Sequence, residues 1–293
     1  MPTSFATRGT GSRDGLGGAG LRLLESDVYA APRNVSSLQD CYFYHTMEIP
    51  GYGLVQGPWD LRPGIDAYLG GVNFRNKRVL ELGTASGFVC FHMERCGAEV
   101  IGYDLSQRQD WDVVPFAKYQ YKDFANERKE HIRQLNNGFW LAHEAFNSRS
   151  KMVYGDIYSV PSEIGQVDIC TACSILLHVR DPFLALQNAL KLTRQTVIIT
   201  EPMGKFGLGF LRRAADSLRG TLSRPTMRFL PDPVSVAPKE TWWRLTPDLV
   251  KRFIGVLGFE QSAVSYHRQL YRRGTVLVSL PQFTVVGYRT ASS

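Results

Sequence analysis

The sequence predicts an α/β protein, a doubly wound and mostly parallel sheet with an N-terminal cap and a helical insertion. Three observations predict it. Short apolar runs such as RVLEL and AEVIGYDL alternate with helical stretches such as DPFLALQNALKL, the alternation that βαβ units and a parallel sheet produce. A glycine-rich turn, GTASG, separates the first of these strands from the helix after it. Asp104 then ends the second strand, about twenty residues further on, where an open α/β sheet places an acid beside a bound ribose.

Each element follows in order. Residues 1 to 20 are rich in Gly, Ser, Thr and Arg, a composition too poor in apolar anchors to offset ordering entropy, and read as a disordered tail. Residues 21 to 76 read as the cap, with SSLQDCYFYHTM as a helix followed by loops punctuated by Pro and Gly. The main domain spans 77 to 293. In it, RVLEL, AEVIGYDL, KMVYGDI, VDICTACS and TVIITEP are strands. Residues 105 to 150 form an insertion too long for a bare loop, with KDFANERKEHIRQLNNGFWLAHEAF as its helix. Residues 205 to 240 form a variable segment rich in Gly, Arg and Pro. TPDLVKRFIGVLGF is a helix with Thr246 as N-cap and Pro247 at its first position. SAVSYHRQLY and TVLVSLPQFTVVGYR close the chain as strands.

Bulk properties exclude several classes. The 293 residues are 44% hydrophobic and 21% charged, an ordinary globular balance. No apolar run approaches the ~20 residues that span a bilayer, and no apolar stretch follows Arg8 and Arg13, so the expected location is the cytoplasm. The net charge of +7 is spread out, with small clusters at Arg212-Arg213 and Arg272-Arg273, as on a solvated surface. Cys41, Cys90, Cys96, Cys170 and Cys173 show no paired metal spacing. Cys170 and Cys173 lie three apart in one strand and so point to opposite faces. We expect buried, reduced thiols and no metal.

The chemistry begins with VLELGTASGF, residues 79 to 88. Gly83 and Gly87 allow positive φ and a close ligand approach, and the helix start beyond them offers unpaired N–H groups. A glycine turn could merely close a βα unit, but Glu81 before it and Asp104 after it add a ligand's polar partners. A nicotinamide site would want G-x-G-x-x-G, which is absent here.

With these residues in hand, ELGTASG resembles the first motif, E/D-x-G-x-G-x-G, of class I S-adenosylmethionine-dependent methyltransferases, with Ala85 in place of the middle glycine. The resemblance implies a Rossmann-like sheet with an antiparallel last strand and S-adenosyl-L-methionine as cofactor. It implies that Glu81, Gly83, Thr84 and Gly87 line the amino-acid end of the cofactor. Asp104, with Leu105 beside it, would hold the ribose; Asp156 would meet the adenine amine; Ile157 would pack on the ring, and Ser174 would complete the site. CSILLHVRDPFLALQNAL resembles the segment after the fourth strand of the same superfamily. YHTMEIPGYGLVQGPWDLRPGI resembles the leading segment of tRNA wobble-uridine methyltransferases and their small-molecule relatives, a likeness covering residues 41 to 110 and 150 to 200. Carboxymethylating members of that group read L-Y-H where this chain has Leu176-Leu177-His178, so transfer of a plain methyl group is implied.

Methyl transfer asks the protein to align a nucleophile and exclude water, with a base where a proton must leave. His178, after the fourth strand, is the candidate base, against a merely structural role in bracing its loop. His143 is a weaker candidate. Tyr44, His45, Trp59, Trp111, Trp140 and Trp243 are candidate walls for a planar or apolar substrate, against the ordinary reading of aromatics as core. Three functions remain open at this stage. The first is methyl transfer to a small-molecule acceptor at O, N or C. The second is a tRNA-modifying methyltransferase, with nucleic acid as partner. The third is a non-catalytic cofactor-binding protein. No membrane partner is expected, and the sequence leaves the oligomeric state open.

Overall fold

The computed structural model describes residues 28–203 and 224–290. The expected N-terminal tail and most of the variable segment lie outside these residues. The sheet grows from strands buried on both sides. β1 (Met47–Ile49) and β2 (Gly53–Val55) form a small hairpin. β3 (Trp59–Asp60), β4 (Arg78–Leu82), β5 (Glu99–Asp104), β6 (Lys151–Tyr154), β7 (Val167–Cys173) and β8 (Thr193–Pro202) follow. β9 (Met227–Phe229) pairs with β10 (Trp243–Leu245), and β11 (Gln261–Arg273) and β12 (Val276–Tyr288) close the chain. The eight-stranded sheet runs β3-β11-β12-β8-β7-β4-β5-β6. β4 pairs in parallel with β5 and β7, β5 with β6, and β7 with β8. β12 joins antiparallel to both β8 and β11. The expected doubly wound sheet with an antiparallel last strand is therefore present.

Alternation along the strands divides the core in two. Val79, Val100, Ile169 and Ile198 pack against α2 (Phe88–Arg95) and α3 (Lys122–Ala145). Their neighbours Leu80, Ile101, Cys170 and Ile199 face α4 (Pro182–Leu190) and α5 (Pro247–Val256); α1 (Ile65–Tyr68) is a single turn. Both faces are covered, as parallel sheets require. The winding reverses at β4: β5 and β6 lie to one side, β7 and β8 to the other. Ligands bind such folds outside the carboxyl ends of the strands at this reversal.

One expectation changes. SSLQDCYFYHTM forms no helix beyond the 3-10 turn Leu38–Asp40, where the Ser37 hydroxyl accepts the Gln39 N–H. From Cys41 the chain is extended, because Phe43, His45, Met47 and Ile49 are buried at the period of two that suits a strand. The cap meets the main sheet at its edge, where Trp59 and Asp60 pair with Tyr271 and Leu270. Thr246 does stand at the N-cap of α5, but its hydroxyl makes no cap bond; it accepts the Thr226 N–H at 3.0 Å instead. All five cysteines are free, Cys90 and Cys170 buried as expected, Cys41 and Cys173 half-buried, and Cys96 exposed.

Candidate functional site

The turn after β4 is built by left-handed backbone. Gly83, Ala85 and Gly87 have φ of 77°, 51° and 89°. The Ala85 N–H donates to Asp104 Oδ2 at 2.6 Å, and the Leu105 N–H donates to Oδ1 at 2.7 Å. Asp104 is thereby fixed at the end of β5 on the wall of a cavity. Burial raises its carboxyl above the ordinary range, and the two N–H bonds oppose that rise.

Thr84 and Glu81 sit behind the turn rather than on the wall. The Thr84 hydroxyl accepts the Tyr103 N–H at 3.1 Å and so ties the turn to β5. Glu81 is buried, its carboxyl is pushed to about 8 by burial, and Oε2 has no hydrogen-bond partner. At Gly87 a Cβ would fall 2.5 Å from Phe91 and 2.8 Å from Phe139, so this glycine lets α2 and α3 pack. At Gly83 a Cβ would press on Ile175, 3.0 Å away on the cavity wall.

The cavity, about 580 Å³, lies at the winding reversal. Gly83, Ala85, Asp104, Leu105, Asp156, Ile157 and Ser174 meet along one side. Asp156 is exposed, and its side chain accepts the Tyr158 N–H at 2.9 Å. Ser174 holds a left-handed φ of 54°, and its hydroxyl accepts a bond from Tyr68 at 3.3 Å. Among the described residues no group of three His, Cys, Asp or Glu could hold a metal.

His178 reaches this cavity on the 3-10 turn Leu176–His178. Its Nδ1 lies 2.5 Å from the Glu240 carbonyl. A carbonyl only accepts, so Nδ1 carries the proton and Nε2 keeps its lone pair in the neutral ring. Burial holds the imidazole below its ordinary pKa and thus neutral. Glu201, at the end of β8, braces the turn from beneath by accepting the Leu176 N–H at 2.9 Å.

Tyr44, His45, Trp59 and Trp111 also stand on the wall. Trp140 and Trp243 do not. Trp140 is core, with Nε1 donating to the Tyr154 hydroxyl at 2.9 Å; Trp243 lies on β10 and donates to the Arg180 carbonyl at 3.0 Å. His143 likewise turns inward, its Nε2 3.0 Å from the Ser150 carbonyl. Sequence reasoning missed Arg128, His131, Leu135 and Asn136, which line the cavity from α3. Their spacing of 3, 4 and 1 is one helical face, a signal available in the sequence. Gln282 and Glu240 also line it, and no local pattern marks them; Tyr42, one of the aromatics that crowd the segment before β1, joins them there.

This geometry, a parallel sheet with a reversal at β4, a left-handed glycine turn and an acid ending β5, defines a class I S-adenosylmethionine-dependent methyltransferase. A family model described as a methyltransferase domain matches residues 60–231, more than half of the chain, and the chain belongs to that family. No curated protein matches the sequence. Among solved structures, the N-terminal domain of EvdMO1, crystallised in the presence of SAH and D-fucose, superposes with a TM-score of 0.51 at 16% identity, covering 86% of this chain and 93% of that one. The Burkholderia thailandensis 1,6-didemethyltoxoflavin-N1-methyltransferase is similar at 13% identity and a TM-score of 0.46, with 79% and 78% covered. At these identities the likeness is one of fold. Among the described residues no helix is long and apolar enough to cross a membrane.

Proposed function

We propose that the chain transfers a methyl group from S-adenosylmethionine to a small-molecule acceptor. The observation that carries the reading is the single cavity in which the glycine turn, Asp104 and His178 meet an aromatic wall. The side by the strand ends fits the cofactor's chemistry. Asp104 has lone pairs left for ribose hydroxyls after its two N–H bonds. Leu105 and Ile157 offer apolar faces to a planar base, and Asp156 is exposed beside them for an exocyclic amine. Gly83 and Ser174 border the space toward the methionine end.

When bound, the cofactor supplies an electrophilic methyl on a sulfonium, so the protein needs no further activation of the donor. What the chain adds is alignment, exclusion of water and a proton acceptor. His178 fills the last role, with Nε2 free of its own proton and Nδ1–H anchored on Glu240. An oxygen or nitrogen acceptor would lose its proton there, whereas a carbon acceptor needs the base only after bond formation.

Calorimetric titration with S-adenosylmethionine and with S-adenosylhomocysteine tests the reading. Both should bind the unmodified protein. Asp104→Ala should weaken each at least about tenfold, since it removes the hydroxyl acceptor and strands the Ala85 and Leu105 N–H groups, each worth ~1–3 kcal/mol. An unchanged isotherm for Asp104→Ala would refute the ribose assignment. Absence of binding to the unmodified protein would refute the methyl-transfer reading itself.

A further inference from the structure

Beyond the cofactor side, the cavity wall carries a cluster of aromatic rings tilted to one another. Tyr42 packs on His131 with ring centroids 4.6 Å apart, and Trp111 lies 6.1 Å from the same imidazole. The Arg128 guanidinium sits 5.9 Å above Trp111. Arg128 Nη1 bonds Glu240 at 2.6 Å, and the carbonyl of that same Glu240 holds His178. The base and the aromatic face are thus joined through two residues.

The formal charges of this wall stand in ion pairs, while Arg128 Nε keeps one buried N–H without a partner. Arg128 pairs with Glu240 at 2.6 Å, Asp112 with Arg180 at 3.3 Å, and Asp110 with Lys129 at 3.2 Å. On this side, away from Asp104 and Asp156, burial favours the neutral form of the imidazoles and phenols. His45 is pulled to about 3, Tyr44 is pushed to about 12, Tyr68 is raised further, and His131 and His178 are lowered. A carboxylate or ammonium lodged between Tyr42, His131 and Trp111 would therefore have to compete with Glu240 or Arg128 for its counter-charge, a cost that opposes its binding.

We propose that the acceptor is an uncharged, planar, hydroxylated aromatic, a phenol or enol, lodged among Tyr42, His131 and Trp111 with its hydroxyl at His178. The inference rests on the methyl-transfer reading of this cavity. The hydroxyl proton passes to His178 Nε2 as the oxygen bonds the methyl carbon. The methyl–sulfur bond breaks with its electron pair left on sulfur, giving the methyl ether, the neutral thioether and imidazolium.

The test uses four probes on the full chain saturated with S-adenosylhomocysteine: 2-naphthol, 2-naphthoate, 2-naphthylmethylammonium and D-fucose, titrated by calorimetry. The structure predicts that 2-naphthol binds at least about tenfold more tightly than either charged isostere, a difference of ~1.4 kcal/mol, and more tightly than the non-planar sugar. Trp111→Ala and, separately, Tyr42→Leu should each weaken 2-naphthol about tenfold, with circular dichroism confirming the fold. Equal or tighter binding of a charged isostere, preference for D-fucose, or no binding of 2-naphthol to the loaded protein overturns the proposal. If S-adenosylhomocysteine itself fails to bind, the methyl-transfer reading fails first, and the ranking of the naphthalenes on the unloaded chain judges the aromatic site on its own.

Discussion

Ala85 carries a conformational load that its neighbours explain. Its φ of 51° is left-handed, which costs an L-residue about 1–2 kcal/mol. The position is nonetheless fixed, because its N–H must meet Asp104 Oδ2 at 2.6 Å. Glycine would accept the same φ without the steric cost, against an entropy penalty of roughly 0.5–1 kcal/mol. The difference favours glycine. Ala85→Gly should therefore raise the unfolding midpoint by about 1–3 °C, given roughly 2–4 °C per kcal/mol in a chain of this class, and should leave the Asp104 geometry intact. Differential scanning calorimetry checks it; a lowered midpoint would mean that the Ala85 methyl makes packing contacts worth more than its strain. His178 illustrates the opposite economy, since one backbone carbonyl suffices to set its tautomer.

The turn Leu176–His178 is held as an element, and its support contains a titrating group. Glu201 accepts N–H bonds from Ile175, Leu176 and Leu177, yet burial dominates and pushes its carboxyl from 4.5 to about 8. Glu81, behind the glycine turn, is pushed to about 8 as well. The folded protein therefore keeps protons that the unfolded chain releases near pH 4.5. Their contribution is fully present below that value and is lost as pH rises toward about 8. The urea midpoint should fall between pH 5 and 9, and Glu201→Gln, which keeps a neutral acceptor for Leu176, should flatten part of that fall. An identical slope in the variant would show that Glu201 titrates outside this window. Elements of this kind also mark how far the sequence could be read. β4, β5 and β7 were legible because their apolar runs are bounded by glycine and acid, and the side of the cavity proposed for the cofactor follows from those boundaries. The segment around Phe43 was misread as helical because Ser37 and Leu38 look like a helix start, whereas burial at alternate positions decides for extended chain. Trp140 and Trp243 could not be placed, since an indole on a helix or strand points to core or cavity only once the packing is known. Glu201 escaped notice because nothing local distinguishes a buried glutamate from a solvated one.

At the scale of the whole molecule, the cavity is closed by segments distant in sequence that meet at residues 239–243. The Val114 N–H donates to the Lys239 carbonyl at 2.9 Å, and Trp242 Nε1 donates to the Asp112 carbonyl at 2.8 Å, so the insertion is tied to this strip. The Trp242 N–H donates to Leu177 at 2.8 Å, and Glu240 links His178 to Arg128 of α3. The strip thus braces the insertion loop, the insertion helix and the turn carrying His178 against one another. A half-exposed ion pair such as Arg128–Glu240 adds only about 0–1 kcal/mol to global stability, so its effect belongs to local opening rather than to unfolding. Glu240→Ala, which keeps the carbonyl bonded to His178 but removes the partner of Arg128, should therefore leave the thermal midpoint within about 2 °C while speeding amide exchange at Val114 and the first turns of α3 together. The amides of β4 and β5 should exchange as before, because their bonds lie within the sheet and share no partner with the strip. Hydrogen exchange read by mass spectrometry decides the matter. Faster exchange confined to residues 239–243 would mean that the three walls are stable independently and that Glu240 merely decorates the surface of the site.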